Sequence, residues 1–202
     1  MDLKETYNKI AEDWHKDHSA DSWWVEGTEY LLSLLPAHTT ILDIGCGSGV
    51  KSAYLAGKGF VVTGGDFSEK MVEIARREVP GVIFEVLDFY NLDTWPQSYD
   101  CVFAQAALLH IPKKDIPAIL ENLKHVLKKD GLLYLAVKEL RPNARDEEMK
   151  TENDYGYEYQ RFFSYFTVPE LTSFLEHAGL TIVHESVTPS NNTNWIQIIA
   201  RK

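Results

Sequence analysis

The sequence holds little that would staple, metallate or anchor a protein. Its two cysteines, Cys46 and Cys101, among 202 residues cannot build a disulfide framework. No Cys/His cluster has metal-ligand spacing, so no metal site is expected. No apolar stretch approaches the roughly 18 residues that a membrane span needs. The opening MDLKETYNKIAEDW lacks the apolar run of a secretory signal, so a cytoplasmic protein with no membrane partner is expected. Positive charge is in deficit: 20 Lys and Arg against 30 Asp and Glu give a net −10. Such a field repels polyanions, which argues against a nucleic-acid partner and favours a neutral or cationic small molecule. Internal repeats and low-complexity tracts are absent.

What is present is an ordinary globular composition, 45% hydrophobic and 25% charged, at a length that suits one domain, as a monomer or homodimer. Leu3, Tyr7, Ile10, Ala11 and Trp14 form one stripe of a helical period. A second helical pattern follows Gly27 and stops before Pro36. Short β-branched runs then alternate with amphipathic stretches: strands at 39–44, 60–63, 82–87, 101–106 and 132–137, with helices at 50–58, after Ser68 and after Asp115. Ser68 is a candidate N-cap, Asp115 another, and Gly131 stands where a helix-terminating glycine belongs. Thr167-Val168-Pro169-Glu170 fits a capping box. Strands at 180–187 and 195–200, separated by TPSNNTN, close the chain. Strand–helix units with short joints imply right-handed crossovers and a parallel sheet covered on both faces. The expectation is a doubly wound, Rossmann-like α/β fold: a seven-stranded, mostly parallel sheet with an antiparallel last strand.

In such a sheet the ligand site lies beyond the carboxyl ends of the strands. The first strand ends in Asp43-Ile44-Gly45-Cys46-Gly47-Ser48-Gly49. Three glycines allow a tight turn and close backbone approach, with amide groups at a helix N-terminus. Carboxylates stand at three successive strand tips: Asp43 beside the loop, Asp66 after the second strand, Asp88 after the third. Asp66 could accept hydrogen bonds from ribose hydroxyls and Asp88 could meet the amino group of adenine. Asp43 could offset a ligand's ammonium. The Gly-x-Gly-x-Gly spacing with an adjacent acid suits a ligand with a positive end and no phosphate better than it suits a dinucleotide.

These segments, with Gly65-Asp66-Phe67-Ser68-Glu69-Lys70-Met71, Leu87-Asp88-Phe89, Tyr99 to Gln105, Leu108 to Pro112 and Leu127 to Leu133, resemble the successive motifs of class I S-adenosylmethionine (SAM)-dependent methyltransferases. The resemblance runs from about residue 40 to residue 139, with weaker similarity at Tyr7 and over the last 35 residues. It implies SAM as cofactor and methyl transfer to a small-molecule acceptor by in-line displacement. It also implies roles. Asp66 would hold the ribose, Phe67 and Met71 would pack on adenine, and Asp88 with Phe89 would meet its amino edge. Asp43, Gly45, Cys46, Gly47 and Gly49 would receive the methionine moiety, and Gln105 would lie near the transferable methyl. Tyr7 would cover the cofactor from a mobile helix. His110, just beyond the fourth strand, is the candidate catalytic base; the two cysteines are poor candidates for a nucleophile.

Residues 1–36 are then expected to form a helical lid, 37–140 the cofactor-binding core, 141–166 a substrate-side insertion, and 167–202 a final helix and strand pair. The insertion shows no strong period but is rich in rings (Tyr155, Tyr157, Tyr159, Phe162, Phe163, Tyr165, Phe166). They could enclose an apolar or cationic acceptor, and Arg141, Arg145 or Arg161 could fix a carboxylate. Two rival readings are weaker. A nicotinamide-dependent dehydrogenase would need Tyr-x-x-x-Lys on one helix face, but Tyr54–Lys58 directly follows the glycine loop. Tyr134–Lys138 lies on an expected strand, where four residues span about 13 Å. A SAM-binding regulatory protein without turnover would share the whole cofactor socket.

Overall fold

The computed structural model describes residues 2–190 and 193–202. Two helices come first, α1 (Leu3–His18) and α2 (Val25–Ser33). The alternating part runs β1 (Thr40–Ile44), α3 (Val50–Gly57), β2 (Val61–Asp66), α4 (Glu69–Glu78), β3 (Ile83–Val86), β4 (Tyr99–Gln105), α5 (Ile116–His125) and β5 (Leu127–Lys138). A hairpin, β6 (Glu147–Glu152) and β7 (Tyr159–Ser164), precedes α6 (Val168–His177), β8 (Thr181–Ser190) and β9 (Thr193–Arg201).

Seven strands form one sheet in the order β3-β2-β1-β4-β5-β9-β8, and β9 runs antiparallel to both its neighbours. The expected doubly wound fold is what forms. The chain steps outward from β1 to β3, returns to β4 on the other side, and so opens a crevice at the tips of β1 and β4. The central strands are apolar on both faces, as burial from two sides requires. Leu42, Val102, Ala104, Leu133 and Leu135 pack with α5 and α6. Ile41, Cys101, Phe103 and Tyr134 pack with Leu31 and Leu32 of α2 and Leu55 of α3. Ser68 caps α4 by accepting from Met71 N at 3.2 Å, and the capping box at Thr167 and Glu170 forms.

Several local expectations are corrected. Helix α5 ends at His125 rather than at Gly131, which lies inside β5. The left-handed position is taken by Asp130, φ 62°. Gly131 is small for another reason: a Cβ there would sit 2.9 Å from the Asp100 carbonyl oxygen. Helix α2 begins before Gly27 and includes it; the glycine clears space for Gln197 of the sheet, whose Oε1 would lie 1.4 Å from a Cβ there. Asp115 makes no cap bond and accepts from the Tyr90 hydroxyl at 3.0 Å instead. The link from β3 to β4, for which no element was expected, carries a single 3-10 turn, Phe89–Thr94. The stretch without a clear period, 141–166, holds the β6–β7 hairpin. The last two strands reach further toward each other than expected, leaving Asn191 and Asn192 of the expected loop outside the described residues.

Helix α1 lies across the sheet's carboxyl edge, its Tyr7, Ile10 and Ala11 packed with Met71, Ile74 and Tyr159. Helix α2 instead belongs to the layer covering the sheet. Among the described residues no helix is long and apolar enough to cross a membrane.

Candidate functional site

The glycine loop follows β1 as a set of backbone conformations that favour glycine: Gly45, Gly47 and Gly49 have φ of 76°, 54° and 84°. Two of them also clear space. A Cβ on Gly45 would lie 2.2 Å from Cβ of Ala107, and one on Gly47 would touch the ring of Trp14 at 3.3 Å. The bare loop therefore lets α1 and the turn after β4 close on the backbone from two sides. The N–H groups of Gly45 and Cys46 donate to the Gly65 carbonyl, at 2.7 and 3.0 Å, tying the loop to β2.

Asp66 ends β2 and is buried. The N–H groups of Gly47 and Ser68 donate to its two carboxylate oxygens, each at 2.9 Å. Burial still pushes its carboxyl up to about 6, with those two donors opposing the rise. Asp43 is buried as well and accepts from the Ser52 hydroxyl at 2.6 Å; burial pushes it up to about 6. Asp88 follows β3 and accepts from Tyr90 N at 3.1 Å.

These elements enclose a cavity of about 310 Å³ at the strand tips. Gly45, Cys46, Gly47 and Asp66 line its loop side, and Phe67, Met71, Asp88 and Phe89 line the side toward β3. Tyr7, Gln105 and His110 complete the expected set. Asp43 and Gly49 do not reach the cavity: the first is turned to Ser52, and the second is the N-cap of α3, its Cα packed toward Phe84. Sequence reasoning missed Trp14, Lys51, Tyr90, Ala106 and Ala107, which also line it. For Trp14 the signal existed, since it shares the helical stripe of Tyr7. Lys51 had none.

Two features show what the cavity is short of. Gln105 is 2% exposed, and neither its Oε1 nor its Nε2 has a hydrogen-bond partner. An unpaired buried amide costs about 1–3 kcal/mol, so such a group calls for a polar occupant. The buried Asp66 carboxylate likewise gains from hydroxyl donors. A molecule with a diol at one end and polar groups at the other meets both needs.

His110 sits at the edge of this cavity. Its Nδ1 is 2.7 Å from the Phe162 carbonyl oxygen, which can only accept, so Nδ1 carries the proton. Nε2 then accepts from the Tyr7 hydroxyl at 2.7 Å. Burial pushes His110 down to about 3; the bond to Phe162 opposes this, and the Arg161 and Lys138 cations add to it. Burial raises the Tyr7 hydroxyl, which keeps it protonated. Arg161 is held by Glu152 through two bonds of 2.6 and 2.8 Å. Cys46 and Cys101 are buried, and burial pushes both thiols well up, so neither is a thiolate at neutral pH.

The comparisons with known proteins agree with this geometry. The profile of a family described as a methyltransferase domain matches residues 41–131. The chain is 32% identical over 122 residues to the putative methyltransferase YqeM of Bacillus subtilis, a match covering 58% of this chain and 48% of that protein. It is 35% identical over 122 residues to the S-adenosyl-L-methionine-dependent Diels-Alderase iccD of Talaromyces variabilis, covering 56% and 41%. The chain thus spans less than half the length of these curated relatives. The fold is shared with Burkholderia thailandensis 1,6-didemethyltoxoflavin-N1-methyltransferase, solved with S-adenosylhomocysteine (SAH) bound. The TM-score is 0.75 at 20% identity, over 99% of this chain and 87% of that one. Strand order, strand-tip cavity and glycine loop define a Rossmann-like protein of the methyltransferase type. Residues 41–131 match that methyltransferase domain, and the rest of the chain shares the fold of the solved methyltransferases.

Proposed function

We propose that the protein is a SAM-dependent methyltransferase acting on a small-molecule acceptor. The observation that carries this reading is the strand-tip cavity itself, where a buried carboxylate, a glycine loop and an amide with no partner converge. Asp66 would hold the ribose hydroxyls, Phe67 and Met71 would flank the adenine, and Asp88 with Phe89 would meet its amino edge. Gly45, Cys46 and Gly47 would receive the amino-acid end, and Gln105 would take up its polar atoms. Trp14 and Tyr7 of α1 would close over the top and exclude water. Asp43, one layer back, would supply negative charge behind the loop.

When bound, SAM supplies a methyl group on a sulfonium, an electrophile with its leaving group built in. What remains for the protein is alignment of the acceptor and exclusion of water. No group of this chain needs to be a strong base for that. His110 already donates from one ring nitrogen and accepts at the other, and it is neutral. We therefore assign His110 a positioning role: it fixes the Tyr7 hydroxyl, and through it α1, against the turn after β4. An acceptor with a free lone pair at neutral pH suits this arrangement.

Isothermal titration calorimetry tests the cofactor, and a methyl-release screen over small amines, carboxylates, thiols and phenols tests turnover. Micromolar binding of SAM and SAH with product formation is expected. Tight NADH binding with no SAM heat would overturn the reading.

A further inference from the structure

A second cavity, of about 410 Å³, opens from the first. Tyr7, Trp14, Cys46, Lys51, Ala106 and His110 line both. Its far wall is built by the end of β5, by β7 and by the start of β9, through Lys138, Arg161, Phe163 and Trp195.

Lys138 is half-buried there, and among the described residues no carboxylate lies within ion-pair distance of it. Its Nζ stands 4.3 Å from the centre of the Phe163 ring and 6.0 Å from that of Trp195. Trp195 is itself stacked on Trp23 at 3.9 Å. Glu152, the acid whose charge favours this ammonium, is already claimed by Arg161 at 2.6 Å and by Lys150 at 3.5 Å. Lys138 is left without an ion-pair partner. The Phe163 ring also touches the Arg161 guanidinium, 5.2 Å from its centre, and the His110 ring at 4.9 Å. The wall is therefore continuous with the cofactor cavity.

Two acids, Asp17 and Asp21, also line this cavity, but both are exposed and solvated at its rim. A charge held in the low-dielectric interior acts far more strongly than one in water. The inner wall is therefore electropositive, although the chain as a whole carries −10. Beyond Lys138 a neighbouring cleft is lined by Arg141, Arg145 and Lys150 together with Glu139 and Glu148.

Resting on the cofactor reading above, we propose that the second cavity takes the acceptor and that the acceptor is a planar organic acid. Its carboxylate pairs with Lys138, and its flat body lies against Phe163 and Trp195. A partly buried ammonium without a counter-ion is costly, and a carboxylate is the group that relieves it. Ring walls select a flat molecule over a branched aliphatic one. This reverses the sign of ligand that net charge alone suggests.

The test is a titration of the SAH-loaded protein, followed by intrinsic tryptophan fluorescence. The probes are benzoate, trans-cinnamate and indole-3-acetate, their carboxamides, and benzylamine. Binding of SAH is measured first and separately. The acids are expected to bind at least tenfold more tightly than their carboxamides, and benzylamine more weakly still. Lys138→Met should abolish that preference while changing the SAH dissociation constant less than twofold, and Lys138→Arg should keep it. Equal binding of acids and carboxamides, no binding of any acid, or an unchanged preference in Lys138→Met would overturn the proposal with SAH binding intact. Failure to bind SAH would strike the cofactor reading instead, and with it this one.

Discussion

Proton competition at Asp66 gives the sharpest test of the cofactor site. An ordinary carboxyl of 3.8 is pushed up to about 6 here by burial. At 1.36 kcal/mol per unit, the ionised form costs the empty protein about 3 kcal/mol at neutral pH. The sign follows from linkage. The folded protein holds this proton more tightly than the unfolded chain, so the contribution to stability is full below about pH 4 and is lost as pH rises through 6. Between pH 7.5 and pH 5 Asp66 alone should return about 1.4 kcal/mol to the empty protein. Asp43, also raised to about 6, acts in the same direction and repels Asp66.

Ribose hydroxyls donate, so they need the ionised carboxylate. Cofactor binding should then compete with the proton, and SAH should bind about tenfold more weakly at pH 5 than at pH 7.5. Calorimetry in two buffers of different ionisation enthalpy would count the proton released, close to one at pH 5 and close to none at pH 7.5. His110, at about 3, does not titrate in this window. Asp66→Asn should lose at least tenfold in affinity at pH 7.5 and flatten the profile. A wild-type SAH affinity equal at both pH values, or a slope undiminished in Asp66→Asn, would refute the assignment of Asp66.

Gly45→Ala should destabilise the protein by about 2–4 kcal/mol, from a left-handed alanine plus overpacking against Ala107, and weaken SAH more than tenfold; urea unfolding and calorimetry check both. His110→Gln should reduce kcat by less than tenfold on an identified acceptor, whereas loss of a general base would cost 10²–10⁴-fold. The wild-type rate–pH profile should show no ionisation near 6.5 from this residue. Lys138 is lowered to about 8, by burial first and then by Arg161, Lys150 and Arg141, with Glu152 opposing. Affinity for an acidic acceptor should therefore fall above about pH 8 as the ammonium is lost. A profile flat from pH 7 to pH 9.5 would contradict it.

How far the site could be read in advance depended on how local its parts are. The cofactor half consists of residues at the tips of successive strands, and a strand tip is visible in sequence as a β-branched run ending in glycine or an acid. Gly45, Gly47, Asp66 and Asp88 are legible this way, Gln105 only through the family resemblance, and all of them line the cavity. Asp43 carries the same local signature but is turned inward to Ser52, a difference that only packing decides. Gly131 reads as a helix stop because glycine favours positive φ, yet here it serves close approach to Asp100 and the positive φ belongs to Asp130. The β6–β7 hairpin hid because its exposed positions blur the alternation: five of the six β6 side chains are charged or polar, Met149 being the sixth. The second cavity could be read only in part. Phe163 and Arg161 belong to the ring-rich insertion expected on the substrate side, but Trp23, Lys138 and Trp195 come from distant segments, and nothing local distinguishes Lys138 from any other lysine at the end of a strand.

If the acceptor is an acid, as proposed, net charge misleads at this site for a physical reason. The excess acids sit largely on a solvated surface, where salt and water attenuate them within about 10 Å. Inside, the sign changes across the crevice between β1 and β4. Asp43, Asp66 and Asp88 lie on the β1–β3 side, against one lysine there, Lys51, while Lys138, Lys150 and Arg161 come from β5, β6 and β7, against Glu152. A sulfonium cofactor on the acidic side and an acidic acceptor on the basic side, as proposed above, would each find opposite charge in the wall and in one another. At the junction His110 is held neutral by burial first, with the Arg161 and Lys138 cations adding to it, so this histidine, wedged against the Tyr7 and Phe163 rings, serves through its geometry.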